Sequence, residues 1–308
     1  MSRVRAIIRR AAARVAFAAL TAGTLAPAAN AAGPVLVVRS SDLKPYKAVE
    51  DAFLEGMAEL GRPTRTLTLT AAGGTREEVK AAIAGASLVL AVGKEAARMV
   101  ADLHAGVPTI YTLVPDPAAA GLERDAPGVN MYVSPATQLS AIKSALPHAR
   151  KLGVLYDPSN SQTLVAACEA AAKTDGFTLV ERVVTSREQV ASTARDLLQQ
   201  VDALWLVPDT TVVSADTFKF LVQTSLESKV PVIGFSEGMT RVGALLSVEA
   251  AHIAMGRKAA DMARRILAGD HPHLESPDGR VTLNLKSAQL LGISIPTAVR
   301  ERARVVSE

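Results

Sequence analysis

Apolar runs alternate along this chain with stretches in which apolar positions recur at helical spacing. The runs with strand character fall at 35–38, 65–69, 88–92, 109–113, 129–133, 152–156, 178–184, 203–207, 230–233, 244–248 and 281–285. Helical spacing predicts helices at 46–60, 77–84, 95–103, 138–145, 164–173, 187–199, 215–228 and 253–267. Several strands, such as Leu88-Val89-Leu90-Ala91-Val92 and Ala203-Leu204-Trp205-Leu206-Val207, are apolar throughout rather than at every second position. Such strands are buried on both faces, as in a parallel sheet covered by helices. Regular strand–helix alternation then predicts a doubly wound α/β architecture with right-handed crossovers. One open sheet with this many strands would be unusually wide. Two sheets are expected, divided near Ser134-Pro135, where one set of strand–helix units ends and another begins. Gly61, Gly85 and Gly176 follow helical runs, as helix C-caps do. The polar, turn-rich stretch 269–279 is long enough to connect two lobes.

The charge balance changes the picture of the first residues only. The chain of 308 residues carries a formal net charge of +4, from 34 Lys and Arg against 30 Asp and Glu. Arg3, Arg5, Arg9, Arg10 and Arg14 fall within the first 31 residues, which hold no acid; the remainder has 29 bases against 30 acids. Nothing in that remainder argues for nucleic acid. The opening segment has the three parts of a secretory signal: a basic start, an apolar run at 15–25, and small residues ending in Ala29-Asn30-Ala31. The run is shorter than the ~20 residues a membrane span needs. We expect residues 1–31 to be a cleaved signal peptide, and the mature protein to be soluble, periplasmic, without a lipid anchor and monomeric. Cys168 is the single cysteine, so no internal disulfide is expected. It reads as a small buried apolar residue rather than a nucleophile, since no histidine motif accompanies it.

The candidate chemistry lies at strand ends, where ligands of open α/β sheets bind. The run 203–207 leads into Pro208-Asp209, and the run 109–113 into Pro115-Asp116. A carboxylate at this level in each half suggests two sheets facing one ligand. Asp209, followed by Thr210, reads as a helix N-cap worth ~1 kcal/mol or as an acceptor for a ligand amine, and the two roles are compatible. Asp116, between two prolines, reads as a rigid turn or as a binding carboxylate. Tyr156-Asp157-Pro158-Ser159-Asn160-Ser161 offers polar groups before a helix N-terminus, which favours anionic ligand groups. Ser40 and Ser41 after the first run, and Gly93-Lys94 after the third, are the matching strand ends of the first half. Gly93 would let a ligand approach the backbone closely. Ser236, Glu237 and Glu249 complete the candidate set: Ser40, Ser41, Gly93, Asp116, Tyr156, Asn160, Asp209, Thr210, Ser236, Glu237 and Glu249.

Catalytic and cofactor signatures are missing. The sequence has no G-x-S-x-G elbow, no phosphate-binding G-x-x-x-x-G-K-[ST] loop and no G-x-G-x-x-G after a strand. His271-Pro272-His273 supplies two ligands where a metal site needs more. No nucleophile has a base beside it. We therefore expect a binding protein rather than an enzyme, with no cofactor and no metal.

An ordered set of motifs carries a family resemblance. It includes Leu90-Ala91-Val92-Gly93 with Ala96-Ala97, Val107-Pro108 leading to Val114-Pro115-Asp116-Pro117, and Leu152-Gly153-Val154-Leu155-Tyr156. It continues through Asp202-Ala203-Leu204-Trp205, Pro208-Asp209, Gly243-Ala244-Leu245, Gly256-Arg257, Ile266-Leu267-Ala268-Gly269 and Leu283-Asn284-Leu285-Lys286. The chain resembles the ABC transporter substrate-binding family of the type I periplasmic binding fold, in a branch with aromatic amino-acid binders. The resemblance implies two Rossmann-like lobes with parallel sheets joined by three crossovers. On this chain the lobes would be 33–133 plus 248–270 and 134–247 plus 271–308. It also implies hinge closure around a small-molecule ligand and delivery to a membrane permease; a sensor kinase is the alternative partner. Amino-acid-binding members tend to carry Gly-Thr where this chain has Gly93-Lys94, and an aromatic pair where it has Ala250-Ala251. The sequence displays no aromatic stacking box, so the expected ligand is a small polar molecule, either amino-acid-like or a small organic acid.

Overall fold

Each continuous apolar run becomes a strand with helices on both faces. The computed structural model describes residues 33–307 apart from 71–72, 104–105, 116 and 124, so the expected leader and Asp116 lie outside the described residues. The first lobe begins β1 (Val35–Arg39), α1 (Lys44–Glu59), β2 (Thr64–Thr68), α2 (Arg76–Ala84) and β3 (Leu88–Val92). It continues with α3 (Lys94–Leu103), β4 (Thr109–Thr112) and β5 (Gly128–Val129). β1 and β3 are buried along their whole length, because one apolar cluster packs on each face of their sheet.

The second lobe repeats the scheme. It contains α4 (Pro135–Ala145), β6 (Lys151–Tyr156), α5 (Pro158–Asp175), β7 (Thr178–Val183) and α6 (Arg187–Leu198). β8 (Ala203–Trp205), α7 (Ala215–Glu227), β9 (Val232–Gly234), α8 (Glu237–Val242) and β10 (Leu246–Ala250) follow. The chain then returns to the first lobe with α9 (His252–Leu267), which packs along α1, and with β11 (Leu274–Glu275). It finishes in the second lobe with β12 (Gly279–Asn284), α10 (Leu285–Leu291), α11 (Thr297–Arg302) and β13 (Arg304–Ser307).

The strand order is β11-β5-β4-β3-β1-β2 in one sheet and β13-β12-β10-β9-β8-β6-β7 in the other. Pairing is parallel throughout both sheets except between β10 and β12. These are two Rossmann-like lobes joined by three crossings. Strand order reverses at β1/β3 in the first sheet and at β6/β8 in the second, and these switch points are where open α/β sheets leave crevices.

The crossings are displaced from the expected boundaries. β10 pairs with β12 as far as Ala250↔Gly279, and Leu274 pairs with Gly128 in the first sheet. The second crossing therefore falls at Ala251 and the third at 276–278, each later than expected. The strand expected over 129–133 ends at Val129, because Met131–Val133 becomes the first crossing. The first crossing, the end of β10 and the start of β12 meet at Gly279. A β-carbon there would come 2.7 Å from Val248 Cγ1 and 3.1 Å from Val133 Cγ1, so a larger residue would have to displace these two side chains. Among the described residues, no helix is long and apolar enough to cross a membrane.

Candidate functional site

The chain segments that leave β4, β8 and β9 converge on the first two crossings and enclose a cavity of about 250 Å³. That is just below the roughly 300–1,000 Å³ typical of pockets for drug-sized ligands, room for a small molecule. The first lobe contributes Leu113, Met131 and Met255; the second contributes Leu164, Val207 and Phe235. Leu113 holds φ at 55° and is 4% exposed. A branched residue in the left-handed region is strained, and burial of its side chain at the cavity wall helps hold it there. The wall is more apolar than the polar strand-end loops predict.

Two features of the wall come from residues that sequence reasoning passed over. Tyr132 in the first crossing and Phe235 after β9 meet edge to face, with ring centroids 6.5 Å apart at 83°. This is a favourable aromatic geometry, formed by residues distant in sequence. Gln138 is fixed by two bonds: it donates to the Val133 carbonyl at 2.9 Å and accepts from the indole N–H of fully buried Trp205 at 3.0 Å. Cys168 also lines the cavity. Burial, aided by the charge of Glu181, pushes its thiol up to about 12, so it stays protonated and unreactive at neutral pH.

Two of the sequence-predicted residues, Ser236 and Glu249, line the cavity. Ser236 caps α8, its Oγ accepting from the Met239 N–H at 3.4 Å. Glu249 Oε2 accepts from the Glu237 N–H at 2.7 Å, and Oε1 accepts from Arg280. A carboxylate has about four lone-pair positions, so Glu249 keeps acceptor capacity toward the cavity. Beside it, desolvation lowers the pKa of His252, opposed by the charge of Glu249.

The other candidates gather elsewhere. At the second switch point, Asp209 is 4% exposed and its carboxylate accepts five hydrogen bonds. The donors are the Asp157, Thr211 and Val212 N–H groups, the Ser161 hydroxyl and the Asn160 amide. This network stitches the β6–α5 turn to the segment after β8 and leaves no lone pair for a ligand. Thr210 is exposed, its carbonyl accepting from Arg187 at 3.3 Å. Tyr156 packs into the second lobe's core, and its hydroxyl donates to Glu181 at 3.2 Å. At the first switch point, Ser40 Oγ accepts from the Ala96 N–H at 2.9 Å. A β-carbon on Gly93, whose φ is 93°, would sit 2.6 Å from that oxygen, so the glycine fits its own neighbours. Ser41 Oγ is buried without a hydrogen-bond partner among the described residues. Among those residues, no group of three or more His, Cys, Asp or Glu could hold a metal ion.

Glu237 stands behind the wall as the centre of an ion-pair cluster. It accepts from Arg241 Nε at 2.9 Å and pairs with Arg304 at 3.0 Å and Arg280 at 3.4 Å. The Arg241 hydrogen bond leads in holding its carboxyl below the ordinary glutamate value of 4.5, against a desolvation effect of opposite sign. The fold therefore favours the ionised form. Its contribution is present above the unfolded value and fades as pH falls through the lower folded value. Thermal unfolding of Glu237→Gln between about pH 5 and pH 3 should show a shallower loss of stability than wild type. Parallel curves would remove Glu237 from the acid response.

A family model described as ABC transporter substrate binding protein matches residues 47–307. The tyrosine-binding protein of Clostridioides difficile (strain R20291) is 29% identical over 191 residues, covering 59% of this chain and 55% of that protein. The aligned chain thus spans about half the length of this curated relative. Among solved structures, the ABC domain from Streptococcus pneumonia in complex with L-Trp is 26% identical. That alignment covers 89% of this chain and 99% of the other, with a TM-score of 0.55. The ligand-free, open structure of a substrate binding protein with adhesive properties from Clostridium difficile shares the fold. It is 22% identical, with a TM-score of 0.70 over 89% of this chain and 99% of that one. With a family match over most of its length and this two-lobed architecture, the chain belongs to the ABC transporter substrate-binding protein family.

Proposed function

We propose that this protein is the periplasmic solute-binding component of an ABC importer, closing its lobes on one α-amino acid with an apolar or aromatic side chain. The observation that carries this reading is a small cavity lined from both lobes, apolar around most of its wall, with the Glu249 carboxylate on one side. The apolar wall suits the side chain, and Glu249 suits the ammonium. The Streptococcus neighbour holds L-Trp and the Clostridioides relative is a tyrosine-binding protein, which supports the same ligand class. The leader-like first 31 residues support export, and the family supports a permease partner.

Closure follows from the ligand's contacts. A ligand that touches both lobes favours the closed form by its differential affinity for it. Moving the equilibrium from mostly open to mostly closed takes about 5.5 kcal/mol of such preference, within the roughly 8 kcal/mol of a micromolar complex. The test is a thermal-shift screen of L-tryptophan, L-tyrosine, L-phenylalanine and L-leucine. At 100 times its Kd a ligand adds about 2.7 kcal/mol, which for a chain of this size raises Tm by roughly 5–10 °C. No shift with any of the four would contradict the reading.

A further inference from the structure

Arg280 stands one hydrogen bond behind the cavity wall. It lies just past the third crossing, directly opposite Glu249 in the antiparallel β10–β12 pair. Its Nη2 donates to Glu249 and lies 3.4 Å from Glu237. Its Nε and Nη1 donors make no hydrogen bond among the described residues. Glu237 is already paired with Arg241 and Arg304. The cluster thus sets three guanidinium groups against two carboxylates, leaving one positive charge unmatched. The Arg280 side chain is 44% exposed, so the donors of its planar fork that face away from Glu249 and Glu237 remain open to a ligand. Its charge also reaches the cavity, where it contributes to the lowered pKa of His252.

We infer that Arg280 binds the carboxylate of the amino-acid ligand while Glu249 binds its ammonium, so that the paired side chains select a zwitterion. The inference rests on the amino-acid reading above and deepens it. Geometry supports it in two ways. A guanidinium fork matches a carboxylate in a two-bond arrangement that a lysine cannot copy. The register that faces Arg280 to Glu249 also holds the two charges one hydrogen bond apart, as the neighbouring α-carboxylate and α-ammonium of one ligand require. Arg280 could instead be only a brace between β10, β12 and α8. A brace would affect ligands with and without a carboxylate alike.

Calorimetry on the full chain separates these roles. Each of L-tryptophan, L-tyrosine, L-phenylalanine and L-leucine would be titrated beside its carboxamide, which keeps the ammonium and side chain but loses the negative charge. Wild type should prefer the acid over the amide by about tenfold or more. Arg280→Gln should abolish that preference by weakening the acid alone, and Arg280→Lys should restore part of it. Acid and amide binding equally to wild type would overturn the proposal without need of a variant, and so would an undiminished acid preference in Arg280→Gln. Wild type binding neither form of any of the four would instead overturn the amino-acid reading on which the proposal stands.

Discussion

Replacing Glu249 with glutamine is expected to weaken amino-acid binding by about 2–5 kcal/mol, roughly 30-fold to several-thousand-fold in Kd. Glutamine keeps the shape and one acceptor oxygen but removes the charge. A ligand ammonium in the closed cleft would then be desolvated against an uncharged amide, and the penalty is that of an unpaired buried cation. The fold should tolerate the change, since Arg280 keeps Glu237 as a partner and Glu249 makes only two hydrogen bonds to the protein. Calorimetric titration of the variant beside a thermal melt separates the two effects. A Kd within threefold of wild type would show that Glu249 does not meet the ligand's charge.

The second large effect is on stability. Asp209→Ala should cost about 3–5 kcal/mol, because it strips an acceptor from the Asp157, Thr211 and Val212 N–H groups and the Ser161 hydroxyl. A buried donor left without a partner costs about 1–3 kcal/mol, and water entering the space recovers part of the sum. For a chain of this size the melting temperature should fall by about 10 °C. The molecules that remain folded should bind ligand as wild type does, since the carboxylate is fully occupied by its own turn. An unchanged melt with lost affinity would instead return Asp209 to the binding site, as its strand-end position first suggested.

The fold was legible because burial writes itself into composition. β1 and β3 are enclosed on both faces, so they could only be continuous apolar runs, and helices had to alternate with them. Short elements escaped: α8 spans Glu237–Val242 and β13 spans Arg304–Ser307, each too brief for a period to emerge. Ser236 and Glu249 could be read as cavity candidates because both lie at or just past strand ends of the second sheet. Tyr132, Phe235 and Gln138 could not, since they meet only after the first crossing folds back against β9 and Trp205. The residues at the two switch points illustrate a different limit. Position suggests that Ser40, Gly93, Asn160 and Asp209 face a ligand, but whether a polar group is free depends on how many of its lone pairs its neighbours already use. Asp209 accepts five hydrogen bonds where Glu249 accepts two, and no feature of sequence records that difference.

On the proposed reading the ligand sits at the lobe junction beside the crossings, not in the crevices at the switch points. A crystal structure of the protein with its tightest-binding amino acid tests it directly. The ligand side chain should fill the space bounded by Leu113, Met131 and Phe235, with its ammonium within about 3 Å of a Glu249 oxygen. Density for the ligand at the Ser40–Ser41–Gly93 turns or against Asp209, with the junction cavity empty, would contradict it.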